Sequence, residues 1–359
     1  MVREIVIVIA DLYLPRGAES AASGVADSDA RASGAAVAFT AVPGVEALGR
    51  FGRRTSLASG WREWLAVWLG RADLAGVAPA CVAAAVLSPA EAATGEQFTS
   101  WIATPVQLTA GLARVHLDLR GLLRLPATEL ATLAAEFGRT FDSSGFSLTP
   151  LPTGELLLNT RSIEPVETIE PARCAGTDVA QALPHGPAAA PLRRLMAEIE
   201  MWLHRLPLNE TRRLRGEPPV TALWPWGAAG RIVRPAGDPQ GTVPPAFGRD
   251  AWLEGLWHLQ GSASRALPED LQAVLAGGRA ERTVLVVEGG AELQRAAHGS
   301  LADALARLDE RFVSPALKAL RGGELSAVTL IVNDACARVQ RHSLLKLWRR
   351  PRAGLRSFA

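Results

Sequence analysis

Three runs of the chain are apolar at nearly every position: "IVIVIA" (5–10), the centre of "RTVLVVEGG" (282–290), and "SAVTLIVNDA" (326–335). Short continuous runs rich in Val and Ile suit strands buried on both faces, as in a parallel sheet. Parallel strands need a crossover between them, and "SLADALARLDERFVSPALKAL" (300–320) has the pattern of a long helix that supplies one. The runs lie at opposite ends of 359 residues, a length that fits about two or three units of ~100–200 residues each. The expected architecture is therefore an α/β core with a largely parallel sheet, discontinuous over 1–103 and 226–359. An inserted α+β domain over 104–225 interrupts it.

The intervening segments supply the other elements. Residues 16–38 are Gly, Ala, Ser and Asp without period and read as a loop. "PGVEALGRFGRRT" (43–55) is helical in pattern. "WREWLAVWLG" (61–70) places Trp61, Trp64, Leu65 and Trp68 on one helix stripe, a spacing more typical of core than of a ligand cage. "VHLDLRGLLRL" (115–125) alternates like a half-buried strand. Residues 126–141 read as an amphipathic helix with Thr128 as N-cap. "FSLTPLPTGELLLNT" (146–160) reads as a hairpin, and "PLRRLMAEIEMWLHRL" (191–206) as a helix with Leu192, Leu195, Met196, Ile199, Trp202 and Leu203 on one face. A Pro- and Gly-rich connection follows at 225–247, then a helix at 250–260. The glycines after "RTVLVVE" read as a turn.

Composition excludes several classes. A net charge of +2 is too small to predict a polyanionic partner from bulk charge. Arginine carries nearly all the basic character, Lys318 and Lys346 being the lysines, which fits a coding bias. The local excess in "KLWRRPRAGLRS" (346–357) reads as a solvated tail, with a phosphate or nucleic-acid contact as the alternative; a nucleic-acid partner is not expected for the chain. Cys81, Cys174 and Cys336 form no CxxC pair, which argues against a disulfide framework or structural zinc and for a reducing compartment. The run at 5–10 is far short of the ~20 residues of a membrane span and lacks the features of a secretory signal. The expectation is a cytoplasmic protein with no membrane partner.

The most distinctive block is "EIEMWLHRLPLNETRRLRG" followed by "ALWPWGAAGR". It resembles the insert of the archaeal-type cofactor-independent phosphoglycerate mutases, members of the alkaline-phosphatase-like superfamily. Their Pro-Val-Asn-x-x-Arg-x-x-x-Gly and Trp-x-Trp-Gly-x-Gly pattern falls on Pro207, Leu208, Asn209, Arg212, Gly216, Trp224, Trp226, Gly227 and, shifted by one, Gly230. Residues 104–142 and 197–212 are similar to RpfE-type bacterial regulatory proteins. "IVIVIADL" looks like the first strand of the superfamily, whose terminal Asp binds metal. "LIVNDACARVQRHS" looks like the strand that carries its Asp-His pair and a later His. The resemblance extends over most of the chain and implies an alkaline-phosphatase-like core.

Phosphomutase chemistry of the kind implied needs a nucleophilic Ser or Thr and two divalent metals ~3.5–4 Å apart. By resemblance Asp11, Asp334 and His342 are the metal ligands. The His of the pair is replaced by Ala335, no Asp-x-x-x-His precedes the 300–320 helix, and Glu288, Glu292 and His298 have the wrong spacing. Thr55, Ser56 and Ser59 lie near the nucleophile's place without a matching motif. Three ligands cannot hold two close dications, so the expected cofactor is at most one Mn²⁺ or Mg²⁺. Asn209, Arg212, Trp224 and Trp226 are the candidate binding residues for a small phosphorylated or carboxylate ligand, Arg212 acting as a fork on the anion. The alternative is a local cap, with the guanidinium over Trp224 or Trp226. The tryptophans are expected to fill the seam between insert and core. The functional expectation is a phosphoglycerate-mutase-like protein that has lost two-metal phosphoryl transfer and acts as a regulatory or small-anion-binding protein. The alternative is an active metal-dependent phosphomutase or phosphatase.

Overall fold

The computed structural model describes residues 3–11, 13, 42–87, 98–111, 114–229, 242–277, 280–295, 301–332 and 334–345. The loop expected at 16–38, the basic segment at 346–357, His298 and Gly230 lie outside them. Strands run in chain order as β1 (Glu4–Ala10), β2 (Arg53–Ser56), β3 (Thr99–Ala110), β4 (Val115–Leu122), β5 (Phe146–Pro150), β6 (Leu156–Thr160), β7 (Thr177–Asp178), β8 (Ala222–Ala229), β9 (Ala246–Phe247), β10 (Arg282–Glu288), β11 (Ala327–Val332) and β12 (Ala335–Gln340). The helices are α1 (Pro43–Phe51), α2 (Gly60–Trp68), α3 (Pro79–Ala83), α4 (Ala127–Phe141), α5 (Ala190–His204), α6 (Pro207–Leu214), α7 (Ala251–His258), α8 (Leu271–Ala276), α9 (Gly289–Arg295), α10 (Leu301–Leu308) and α11 (Ser314–Gly322). Among the described residues no helix is long and apolar enough to cross a membrane.

The chain divides into two compact units. The first comprises Met1–Leu69, Thr242–Gly248 and Ser264–Ala359, the second Gly70–Gly241 and Arg249–Ala263. The division does not fall at residue 104, because β3 passes through that position hydrogen-bonded along its length to β6, β8 and β4.

The first unit is built on a sheet ordered β2-β12-β11-β1-β10-β9. β1 is parallel to β10 on one side and to β11 on the other, and Ile5–Ala10 are all buried, which is why the run lacks polar alternation. Parallel pairing is confined to β9, β10, β1 and β11; β12 turns back antiparallel to β11, and β2 pairs antiparallel to β12. The helical pattern at 43–55 therefore ends at Phe51, and Arg53–Ser56 become an outer strand.

Two expectations about the crossover change. Gly289 and Gly290 open α9 instead of forming a turn. The long helix is interrupted by a π-wound segment, Asp309–Val313, immediately before Pro315 near the start of α11. A proline there has no N–H for the carbonyl of Arg311 and its ring crowds that carbonyl, so the backbone widens.

The second unit holds an antiparallel sheet ordered β5-β6-β3-β4-β7, with β8 paired to β3. The expected hairpin is β5–β6, in register from Phe146↔Thr160 to Pro150↔Leu156. α4 and α5 contribute Leu130, Leu133, Phe137, Leu195, Ile199 and Leu203 to a core with Trp101 and Leu158. Trp202 meets the rings of Phe137 and Phe141 edge-on, at 5.6 and 5.8 Å between centroids. Thr128 is not an N-cap: α4 starts at Ala127 behind Pro126, without a side-chain cap. The molecule is mixed α/β, with one mixed and one antiparallel sheet.

Candidate functional site

Asp11 and Asp334 each stand two residues beyond Ile9↔Val332, the last pair of the β1–β11 ladder. Both lie past the carboxyl ends of parallel strands, the edge on which open α/β sheets place ligands. Glu288, which ends β10 opposite Ala10, belongs to the same edge. Asp11 has φ +59, the left-handed region, and is the only non-glycine residue there among the described residues. Asp tolerates that conformation better than most residues, and such backbone positions concentrate at functional sites.

His342 is elsewhere. β12 pairs Ala335 with Val332 and Gln340 with Ala327, so the chain runs back along β11 before reaching His342. At ~3.4 Å per residue the strand alone spans about 17 Å. The register therefore puts His342 toward the opposite end of the sheet from Asp11 and Asp334. Among the described residues no group of three or more His, Cys, Asp or Glu is placed to hold one metal ion. Asp11, Asp334 and Glu288 share the edge without forming one ligand group among the described residues, an arrangement that suits at most one hydrated dication. Among the described residues, this edge does not gather the ligands that a close pair of metals needs.

A second anion position is closed from within. Helix N-termini bind anions through their exposed N–H groups. At α1 the N–H groups of Gly44 and Val45 donate to the Asp309 carboxylate at 3.1 and 2.8 Å, and the Ser314 hydroxyl donates to the same group at 2.6 Å. A Cβ on Gly44 would lie 2.6 Å from that carboxylate, so only glycine allows the approach. Glu292, considered as a ligand from the sequence, is buried and paired with Arg295 and Arg311 at 2.8 and 2.7 Å.

In the second unit, the candidate binding block forms a self-contained knot. Asn209 donates both amide protons, to the carbonyls of Leu203 and Val220, and accepts from the Val220 N–H, all at 2.8 Å. Arg212 is buried; it donates through Nε to Pro218 O at 2.8 Å and pairs with the buried Glu129 carboxylate. Arg215 pairs with Glu129 too and with Glu217, and its hydrogen bond holds Glu217 below the usual carboxylate range. Trp224 donates to Ile169 O at 2.8 Å, and Trp226 to the Thr104 hydroxyl at 2.9 Å. These are the donors a ligand would need, and protein groups of the same unit hold them. The indoles are thus anchored inside the second unit, on the strand paired with β3, where the sequence suggested a seam filler.

His342 lines a cavity of about 1070 Å³ in the first unit, together with Arg50, Arg53, Arg54 and Arg338. The Cys336 thiol on its wall is pushed up to about 11 by burial, with the Arg338 charge pulling the other way, so it stays protonated at neutral pH. Sequence reading missed this cluster. "GRFGRRT" and "ACARVQRHS" both carry its arginines, but only the pairing of β2 with β12 brings them together.

No protein-family model matches the chain, and no curated protein sequence does. Among solved structures it is similar to a cofactor-independent phosphoglycerate mutase from Thermoplasma acidophilum DSM 1728. Identity is 14%, the TM-score is 0.41, and the match covers 100% of this chain and 95% of that one. The PH0037 protein from Pyrococcus horikoshii is similar at 11% identity and a TM-score of 0.41, covering 94% of this chain and 87% of that one.

Proposed function

We propose that this is a phosphoglycerate-mutase-like protein, with an alkaline-phosphatase-like core, that binds a small phosphorylated or carboxylate anion in a regulatory role without two-metal phosphoryl transfer. The observation that carries the reading is the register of β12, which parts His342 from Asp11 and Asp334. Without the imidazole, the two aspartates could hold one Mn²⁺ or Mg²⁺ completed by water, and a single hydrated ion does not grip both the attacking and the leaving oxygen. The Asn/Arg–Trp block, which the sequence likens to that family, serves as architecture in this reading.

Calorimetry with phosphorylated three-carbon acids should show binding, while the same protein with Mn²⁺ present turns none of them over. Manganese-dependent mutase or phosphatase activity that disappears in Asp11→Ala would overturn the reading and establish the alternative, a working metal-dependent phosphomutase.

A further inference from the structure

We propose that the cavity along β12 is the anion site and that its ligand is a nucleoside polyphosphate. This rests on the anion-binding reading above and adds to it a place and a chemical class. Arg50, Arg53, Arg54, Arg338 and His342 line the cavity, and among the described residues no acidic side chain does.

The cationic character is built by pairing. Cys336, Arg338 and Gln340 alternate on one face of β12. Across from them on β2, Thr55 faces Cys336 and Arg53 faces Arg338. Like charges directly opposite on neighbouring strands cost stability. Among the described residues Glu4 pairs with Arg338 at 3.0 Å and so offsets one of the two. An anion held between the guanidinium groups would relieve the rest.

A simpler account is edge protection. β2 is an outer strand, and charge on such a strand deters pairing with another chain. That explains Arg53 and Arg54. It does not explain Arg338, which sits on an interior strand, nor the aromatic wall of the same cavity. Trp64 and Trp68 of α2 form that wall, their rings stacked with centroids 6.1 Å apart and planes at 19°. The Arg282 guanidinium lies 4.2 Å from the centre of Trp68, which leaves Trp64 as the platform for a second planar group.

Size selects the ligand class. Small-molecule pockets run about 300–1,000 Å³, so this cavity is at the upper limit. It follows β12 from Cys336 to Gln340, roughly 14 Å at ~3.4 Å per residue, and continues to Ser343. A three-carbon acid would fill a small part of it and leave Trp64 without a role. A row of phosphates across Arg53 and Arg338, with a planar base on Trp64, uses both walls. Guanidinium forks suit phosphate oxygens, and bases stack on indole whatever their identity.

The test is calorimetry on the full chain with four probes: ATP, tripolyphosphate, 3-phosphoglycerate and a single-stranded oligonucleotide. ATP should bind most tightly. Arg53→Glu, at an exposed position, should weaken ATP at least tenfold while the melting temperature holds. Trp64→Leu should weaken ATP about tenfold and leave tripolyphosphate unchanged, an affinity that also reports that the cavity is still folded. Tripolyphosphate binding as tightly as ATP would overturn the nucleoside assignment and keep the anion reading. Binding of 3-phosphoglycerate alone, indifferent to Arg53→Glu, would move the anion elsewhere and overturn the site. A tighter grip on the oligonucleotide would replace the nucleotide by nucleic acid, and no binding of any probe would end both readings.

Discussion

Asn209 and Arg212 are the residues where chemistry and architecture are hardest to tell apart. An Asn and an Arg three residues apart at a helix start read equally well as ligand contacts or as local ties, because the sequence does not say where a side chain's hydrogen bonds go. Here they go inward. Asn209→Ala would leave the Val220 carbonyl and N–H buried without the Asn209 amide, at a cost of about 2–4 kcal/mol. Arg212→Ala would leave Glu129 buried beside Arg215 alone, a loss of about 3–5 kcal/mol. Urea denaturation measures both, and neither variant should alter ATP affinity. The buried thiols offer a different test. Burial pushes Cys174 and Cys336 from the ordinary 9.0 up to about 11. As pH rises the unfolded chain releases these protons first, so their stabilisation is intact below about 9 and is lost toward 11. Arginine does not titrate in that window, and among side chains Cys81, Lys318, Lys346 and Tyr13 compete. Melting temperatures between pH 8 and 11 should fall, and Cys174→Ala with Cys336→Ala should flatten the fall.

At the scale of elements, the sequence was most legible where one periodicity dominates. β1, the β5–β6 hairpin and α5 lie within a residue or two of their expected ranges, since each has a continuous or strictly periodic apolar pattern. It was least legible where a partner distant in sequence decides the outcome. Arg53–Ser56 carries no apolar alternation and becomes a strand only because β12 offers an open edge. The π-wound segment breaks what the sequence read as one long helix, and its consequence lies in Asp309, which sits at the start of α1. Asp309→Ala would leave the Gly44 and Val45 N–H groups without their acceptor, at a cost of about 2–3 kcal/mol. Asp309→Asn keeps an acceptor and should recover about half of that loss in the same denaturation experiment. The candidate cavity follows the same rule: its arginines are plain in the sequence, and their meeting is not.

At the scale of the molecule, the sequence showed that the first and last thirds share a sheet, because apolar runs of the same kind stand at both ends. The second unit begins at Gly70 and not at residue 104, and no composition shift in the sequence marks the step from Leu69 to Gly70. The second unit is nearly continuous in sequence, and a fragment of residues 70–263 should unfold cooperatively in urea with the near-ultraviolet signal of packed tryptophan. A fragment of residues 1–69 should give no such transition. Among the described residues its long strand is β1, which finds both of its neighbours after residue 281. That order of supply sets a demand on biosynthesis. While the ribosome works through more than two hundred further codons, "IVIVIA" waits as an unclaimed apolar ribbon, the segment a chaperone would have to shelter until β10 and β11 emerge.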